Sequence, residues 1–198
     1  MFAMSSLGSP YNKRMIRTLA GALATALVAV FALTAGLAAQ APSGVTLKVG
    51  DQAPEFTLKA SDGRTYSLAE YRGKKPVVIA WFPKAFTQGC TLECKSLAAN
   101  GDRLRKYDVV YFMASVDALD DNTRFAESEK ADFPLLSDAD KSVATRYGVL
   151  AQRGFANRWT FYIDKNGRIS YIDRAVNPET SAEDIISRLG QLKVATIN

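Results

Sequence analysis

The chain of 198 residues carries only two cysteines, Cys90 and Cys94, and no histidine. Those two facts fix most of the chemistry that is open to it. Without histidine there is no Ser-His-Asp hydrolysis, no Cys-His proteolysis, no histidine-ligated zinc or copper, and no haem on a histidine ligand. Two thiolates cannot close a zinc site. The two cysteines leave sulfur chemistry open. On a helix, i and i+4 share a face with Cβ atoms about 5–6 Å apart, whereas a disulfide needs about 3.8 Å. The pair can join only if the first helical turn distorts, so local unwinding on oxidation is expected. The bland alternatives are two small buried hydrophobes, or a permanent disulfide, whose short loop gains little chain entropy.

The elements around the cysteines place them. Pro76-Val77-Val78-Ile79-Ala80-Trp81-Phe82 is a continuous apolar run, which suits a strand buried on both faces. A loop from Pro83 to Gly89 follows, and a helical pattern begins at Thr91, with Leu92, Leu97 and Leu104 recurring among charged residues. Cys90 thus falls at a strand–loop–helix junction, where free N–H groups and the positive dipole end favour a thiolate. Open α/β sheets site their ligands at such carboxyl ends of strands.

The rest of the chain supplies a sheet. Phe56-Thr57-Leu58 and Thr65-Tyr66-Ser67-Leu68 flank an Asp62-Gly63 turn and read as a hairpin. Val109–Val116 is a second buried strand, Asn122–Lys130 a charged helix, Phe133–Ser137 a short strand, and Ala139–Tyr147 a helix stopped by Gly148. Arg158–Asp164 and Arg168–Arg174 form a hairpin about Asn166-Gly167, and Ser181–Val194 closes the chain as an amphipathic helix. Strands alternating with helices predict one α/β domain, its sheet covered on both faces.

Residues 1–41 differ. Lys13, Arg14 and Arg17 precede an apolar run from Leu19 to Ala39, and no charge occurs between Arg17 and Lys48. This pattern predicts an export signal cut near Ala38 or Ala41, or an uncleaved anchor. Either outcome puts residues 42–198 outside the cytoplasm, periplasmic or tethered to a membrane. The formal net charge is +5, and with three positive charges in the leader the folded part stays near +2. No basic run with interleaved aromatics points to nucleic acid.

Pro83-Lys84-Ala85-Phe86-Thr87-Gln88-Gly89-Cys90 matches the peroxiredoxin signature P-x-x-x-T-x-x-C. From Val49 to Val194 the chain resembles the alkyl hydroperoxide reductase/thiol-specific antioxidant family, bacterioferritin-comigratory or Q-type subgroup. Gly50-Asp51 with Ala53-Pro54 and Phe56, Phe133-Pro134-Leu135-Leu136-Ser137-Asp138, and Arg158 with Thr160-Phe161 and Ile163-Asp164 carry the likeness beyond the signature. The resemblance implies a thioredoxin-like fold: a central mixed sheet with helices on both faces and an N-terminal hairpin extension. It implies a peroxidase in which Cys90 attacks the peroxide and becomes a sulfenic acid, and Cys94 then closes a disulfide. Thr87 would orient the peroxide, Pro83 would shield the thiolate, and Arg158 would stabilise it and polarise the O–O bond. A thioredoxin-like protein would be the reductant, no metal, haem or flavin cofactor would be required, and the chain would be a monomer or weak dimer that touches a membrane only through an uncleaved leader.

Taken singly, Arg158 could be an ordinary strand-end charge and Thr87 a helix N-cap. Two positions depart from the family: Gln88 stands where proline is usual, and Cys94 lies one residue closer than the usual resolving cysteine. If Cys94 does not resolve, an external thiol must. The competing readings are an exported thiol–disulfide oxidoreductase, a copper-binding assembly factor and a redox-dead binding module. The first should carry C-x-x-C, and the second a histidine.

Overall fold

The computed structural model describes residues Thr46–Ile197, and the leader expected at 1–41 lies outside them. Seven strands form one sheet: β1 Thr57–Ala60, β2 Thr65–Ser67, β3 Val77–Trp81, β4 Val110–Ser115, β5 Leu135–Ser137, β6 Thr160–Ile163 and β7 Ile169–Asp173. Their spatial order is β2-β1-β5-β4-β3-β6-β7. The strands β3, β4 and β5 run parallel, while β6 and β1 join them antiparallel. The predicted mixed thioredoxin-like sheet is present, and the N-terminal hairpin forms its edge through the pairing of β1 with β5.

Among the described residues, five α-helices accompany the sheet: α1 Gln88–Ala99, α2 Gly101–Leu104, α3 Leu119–Glu129, α4 Ser142–Arg146 and α5 Ser181–Gln191. Alternation along β3 sorts its side chains between two cores. Val78 and Ala80 pack with Leu97 of α1, Phe125 of α3 and Ile185 of α5. Val77, Ile79 and Trp81 pack on the other side with Val143 and Ala144 of α4 and with Tyr147. All five residues of β3 are buried, which is what its unbroken apolar run requires. Each large side chain buried this way contributes about 1.5–3 kcal/mol.

Both hairpins turn where glycine permits it. Gly63 and Gly167 each adopt φ 79°. Asp164 accepts from the backbone N–H of Asn166 and Arg168 and so holds the second turn.

Helix α1 differs from its sequence expectation in two ways. It begins at Gln88, three residues before Thr91, so Cys90 lies inside the first turn. It ends at Ala99, and Leu104 belongs to the separate α2. Its buried residues are Cys90, Glu93, Cys94 and Leu97, the i, i+3, i+4, i+7 row of one helix face. The expected apolar residue Leu92 is only half-buried, and Glu93 takes the inner position. Helix α3 likewise starts earlier than expected, at Leu119, and α4 is shorter, because Lys141 turns into the left-handed region just before it.

Candidate active site

Strand β3 delivers the chain to Pro83, and the loop that follows is pinned from β4. The carboxylate of Asp117 accepts from the Ala85 N–H at 2.9 Å and from the Ser115 hydroxyl at 2.9 Å. Phe86 takes φ 62°, a left-handed conformation that a bulky residue rarely adopts, and its exposed ring packs edge-on against Phe125. This bend sets Thr87 at the N-cap of α1.

Thr87 occupies the cap position, yet its side chain makes no cap hydrogen bond. Its hydroxyl donates instead to the Lys84 carbonyl at 2.9 Å. With its proton committed there, the hydroxyl offers its lone pairs to an incoming O–H. The first-turn amides of α1 stay without a side-chain acceptor, so the helix start keeps its affinity for negative charge. Pro83 is half-buried at the loop's beginning.

Cys90 is fully buried and belongs to the apolar cluster that also holds Phe82, Ala85, Phe125 and Tyr162. Its polar side is Arg158, whose Nη2 donates to Sγ across 3.2 Å. The guanidinium comes from the approach to β6, 68 residues along the chain, and is itself mostly buried. It is no free surface charge. Its other arm, Nη1, pairs with Glu93. A Cβ on Gly89 would stand 3.1 Å from Nη2, so the glycine leaves the room that the guanidinium fills.

Glu93 is a buried partner of this site that the sequence did not single out. Its carboxylate is wholly buried, with Ser181 at the start of α5 donating to Oε1 at 3.5 Å. Burial lifts it to about pH 7 for half-protonation, while the charge and hydrogen bond of Arg158 pull the other way without cancelling that lift. Arg158 answers differently: burial lowers it, and the charges and hydrogen bonds of Glu93 and Cys90 together raise it by more. The carboxylate has one strong partner and the guanidinium has two acceptors, so desolvation wins on one side of the pair and loses on the other.

Cys94 is buried as a thiol beneath the same helix face. Burial above all, then Glu129, Glu93 and Cys90, pushes it up to about 12. The two sulfurs are therefore unlike: Cys90 faces a guanidinium and Cys94 faces apolar neighbours and carboxylates. The structure brings Cys90, Arg158 and the start of α1 together, with Thr87 and Pro83 on the adjoining loop. The hollow of about 410 Å³ lined by Val77, Tyr162 and Leu189 contains none of these residues.

A thiol under a guanidinium at an uncapped helix start suits nucleophilic attack on an O–O bond, and the relatives of the chain agree. The AhpC/TSA family profile matches residues 49–172. Peroxiredoxin Bcp of Escherichia coli is 37% identical over 133 residues, which cover 64% of this chain and 85% of that protein. The crystal structure of peroxidoxin BcpB from Mycobacterium tuberculosis superposes with a TM-score of 0.67 at 27% identity, over 74% of this chain and 99% of that one. PrxQ of Xylella fastidiosa shares the fold with a TM-score of 0.69 at 21% identity, over 76% and 99% of the two chains. With its fold, its signature loop and its kin in accord, the chain belongs to the AhpC/TSA family, as a peroxiredoxin of the BCP/PrxQ subgroup that reduces peroxides through a thiol.

Proposed function

We propose that Cys90 is the peroxidatic nucleophile and Cys94 its resolving partner, in a cycle that a thioredoxin-like protein completes. The contact that supports this best is the 3.2 Å approach of Arg158 Nη2 to Cys90 Sγ. A charged, planar donor there stabilises the thiolate and meets the charge that grows on the leaving oxygen. Thr87 accepts the peroxide's O–H, which aims the O–O bond along the line of attack. Pro83 keeps water from the sulfur. The Cys90 thiolate takes one peroxide oxygen, the O–O bond breaks, and the other oxygen leaves protonated as an alcohol or water. Cys94 then displaces the hydroxyl of the sulfenic acid as water and forms the disulfide. The reductant opens that disulfide by thiol–disulfide exchange.

The burial of Cys94 favours one alternative, in which an external thiol resolves Cys90 directly. Peroxide consumption by the full chain, with thioredoxin and its reductase, separates the two. Cys90→Ser should abolish turnover. Cys94→Ser should leave one stoichiometric oxidation, whereas sustained turnover in that variant would favour the external thiol. Turnover at the wild-type rate in Cys90→Ser would refute the nucleophile.

The leader motivates a further part of the reading. A basic start followed by an uncharged apolar run supports export of the domain from the cytoplasm. Fractionation of cells that express the full chain checks this, and recovery with the cytoplasmic proteins would overturn it.

A further inference from the structure

A hollow of about 410 Å³ lies at the end of the sheet away from Cys90. Strand β3 begins at this hollow with Val77 and Val78, and its other end leads to the loop before Cys90. The remaining walls come from the end of β6 with the turn that follows it, and from the end of α5. Val77, Val78, Ile163 and Leu189 are buried, and Leu192 and Val194 are half-buried beside them. The volume falls within the range of clefts that take small molecules, about 300–1,000 Å³. The apolar lining is aliphatic except for Tyr162, which suits a flexible alkyl chain.

The polar groups of the hollow divide by charge. Its carboxylates are engaged: Asp108 pairs with Lys75 at 2.7 Å, and Asp164 accepts from the N–H groups of Asn166 and Arg168. The Ser170 hydroxyl donates to the Tyr162 carbonyl at 3.0 Å. Lys74, Lys165 and Lys193 line the hollow as well and are exposed, and none of them belongs to an ion pair among the described residues. Unpaired ammonium groups thus ring an aliphatic cleft.

Lys193 stands there against its backbone preference. It follows α5 at φ 55°, in the left-handed region that disfavours a side chain. Its N–H donates to the Gly190 carbonyl, and that of Val194 donates to the Leu189 carbonyl. That pair of bonds closes a helix on a residue that is usually glycine. A lysine in this place puts a charge beside the hollow at the point where the helix stops.

We infer that the hollow is a second binding site, for a single-chain aliphatic carboxylate of the fatty-acid type. The alkyl chain lies among Val78, Ile163 and Leu189, and the ammonium groups of Lys74, Lys165 and Lys193 hold the head group. A charge-assisted contact from lysine needs no planar match, so it suits a head group on a mobile chain. A cationic amphiphile would meet like charge at the rim, and a short anion would leave the aliphatic walls wet. The site is separate from Cys90, and its occupation does not depend on which thiol resolves the sulfenic acid.

Isothermal titration calorimetry of the full chain with decanoate, kept below its micelle concentration, tests the site. Binding should saturate at one decanoate per chain. From hexanoate to decanoate each added methylene should tighten Kd about fourfold. Decyltrimethylammonium should bind at least tenfold more weakly than decanoate. Lys193→Gly removes the ammonium and relaxes the backbone, so it should raise Tm while weakening decanoate at least fivefold. Lys74→Gln, Lys165→Gln and Lys193→Gln combined should weaken it at least tenfold. Lys59→Gln, an exposed lysine on β1 outside the hollow, should leave Kd unchanged. Decanoate should raise the Tm of wild type by mass action. Absence of saturable binding overturns the site, as does a Kd that the combined lysine variant shifts less than twofold. Equal binding of the cationic amphiphile overturns it too, and so does a loss in Lys59→Gln as large as in Lys193→Gly. A fall in the Tm of wild type with decanoate would mark detergent action and likewise refute it.

Discussion

Arg158 holds Cys90 and Glu93 with the two arms of one guanidinium, Nη2 on the sulfur and Nη1 on the carboxylate. The two partners sit three residues apart on one face of α1, so a single planar group bridges a full helical turn. That geometry ties the charge at the sulfur to the fold of the helix beneath it.

A lysine cannot reproduce this bridge. Its ammonium is a point charge and reaches one partner at a time. Arg158→Lys should slow sulfenic acid formation by about 100-fold, the usual loss of about 3 kcal/mol for a preorganised donor at a developing charge. Stopped-flow measurement of the peroxide step in the Cys94→Ser background checks this. A loss of less than threefold would mean that charge alone suffices there.

Gly89 separates activity from stability. In a helix, alanine is favoured over glycine by about 1 kcal/mol. Yet a Cβ at this position would stand 3.1 Å from Arg158 Nη2 and 3.7 Å from Pro178 Cγ. The guanidinium must yield by a few tenths of an ångström, away from the sulfur. Gly89→Ala should therefore fold at least as stably as wild type and react with peroxide about fivefold more slowly, since small misplacements at reacting centres cost rate. Urea unfolding and single-turnover oxidation of the same preparation measure the two effects. Equal or faster oxidation would show that the glycine is not what admits Arg158.

The fold was open to reading from sequence where the signal was local, and the site only in part. The unbroken apolar run at Val77–Trp81 is legible because a strand buried on both faces tolerates nothing else. Asn166-Gly167 announces its turn because glycine alone takes φ 79° there at no cost. Cys90, Thr87, Pro83 and Arg158 were found through their signature and its later landmarks. Glu93 was not, because a lone carboxylate near Lys95 and Arg103 looks like a solvated face. Its burial is possible only through a partner 65 residues away, and no local pattern carries that. One sign was present: Cys90, Glu93, Cys94 and Leu97 make an i, i+3, i+4, i+7 row, and a charge in such a row calls for a buried partner. The direction of the Thr87 hydroxyl, towards Lys84, depends on the bend at Phe86 and had no signal at all.

Two buried carboxylates should give the stability an unusual pH slope. Burial raises Glu93 from 4.5 to about 7, and it raises Asp138 from 3.8 to about 6 despite the N–H groups of Ala144 and Val143 that Asp138 accepts. Below their unfolded values both states hold the protons, and neither group changes the stability. Between the unfolded and folded values the native state keeps protons that the unfolded chain has lost, so stability falls as pH rises through that window. Above about pH 7 the full loss is in place, on the order of 3 kcal/mol for Glu93. Urea unfolding at a series of pH values, for wild type and Glu93→Gln, isolates this contribution. The variant should gain on wild type as pH rises from 4.5 to 7. Parallel curves would show that burial does not hold the proton on Glu93.

Cys94 should be inert until α1 opens. Burial first, and then the carboxylates of Glu129 and Glu93, push its thiol from 9.0 to about 12. Three units lower the thiolate fraction at neutral pH by roughly 10³, and the thiolate is the reactive form. In the Cys90→Ser variant, iodoacetamide should therefore modify Cys94 at least 10³-fold more slowly than a cysteine in an unstructured peptide. Denaturant should erase the difference, because it removes the burial that causes it. The same protection makes Cys94 a poor nucleophile in the closed site, so concentrations of urea below the unfolding transition should speed disulfide formation more than they change the peroxide step. Labelling of Cys94 at the peptide rate in the native protein would mean that its sulfur is already free. Resolution would then need no opening of the helix.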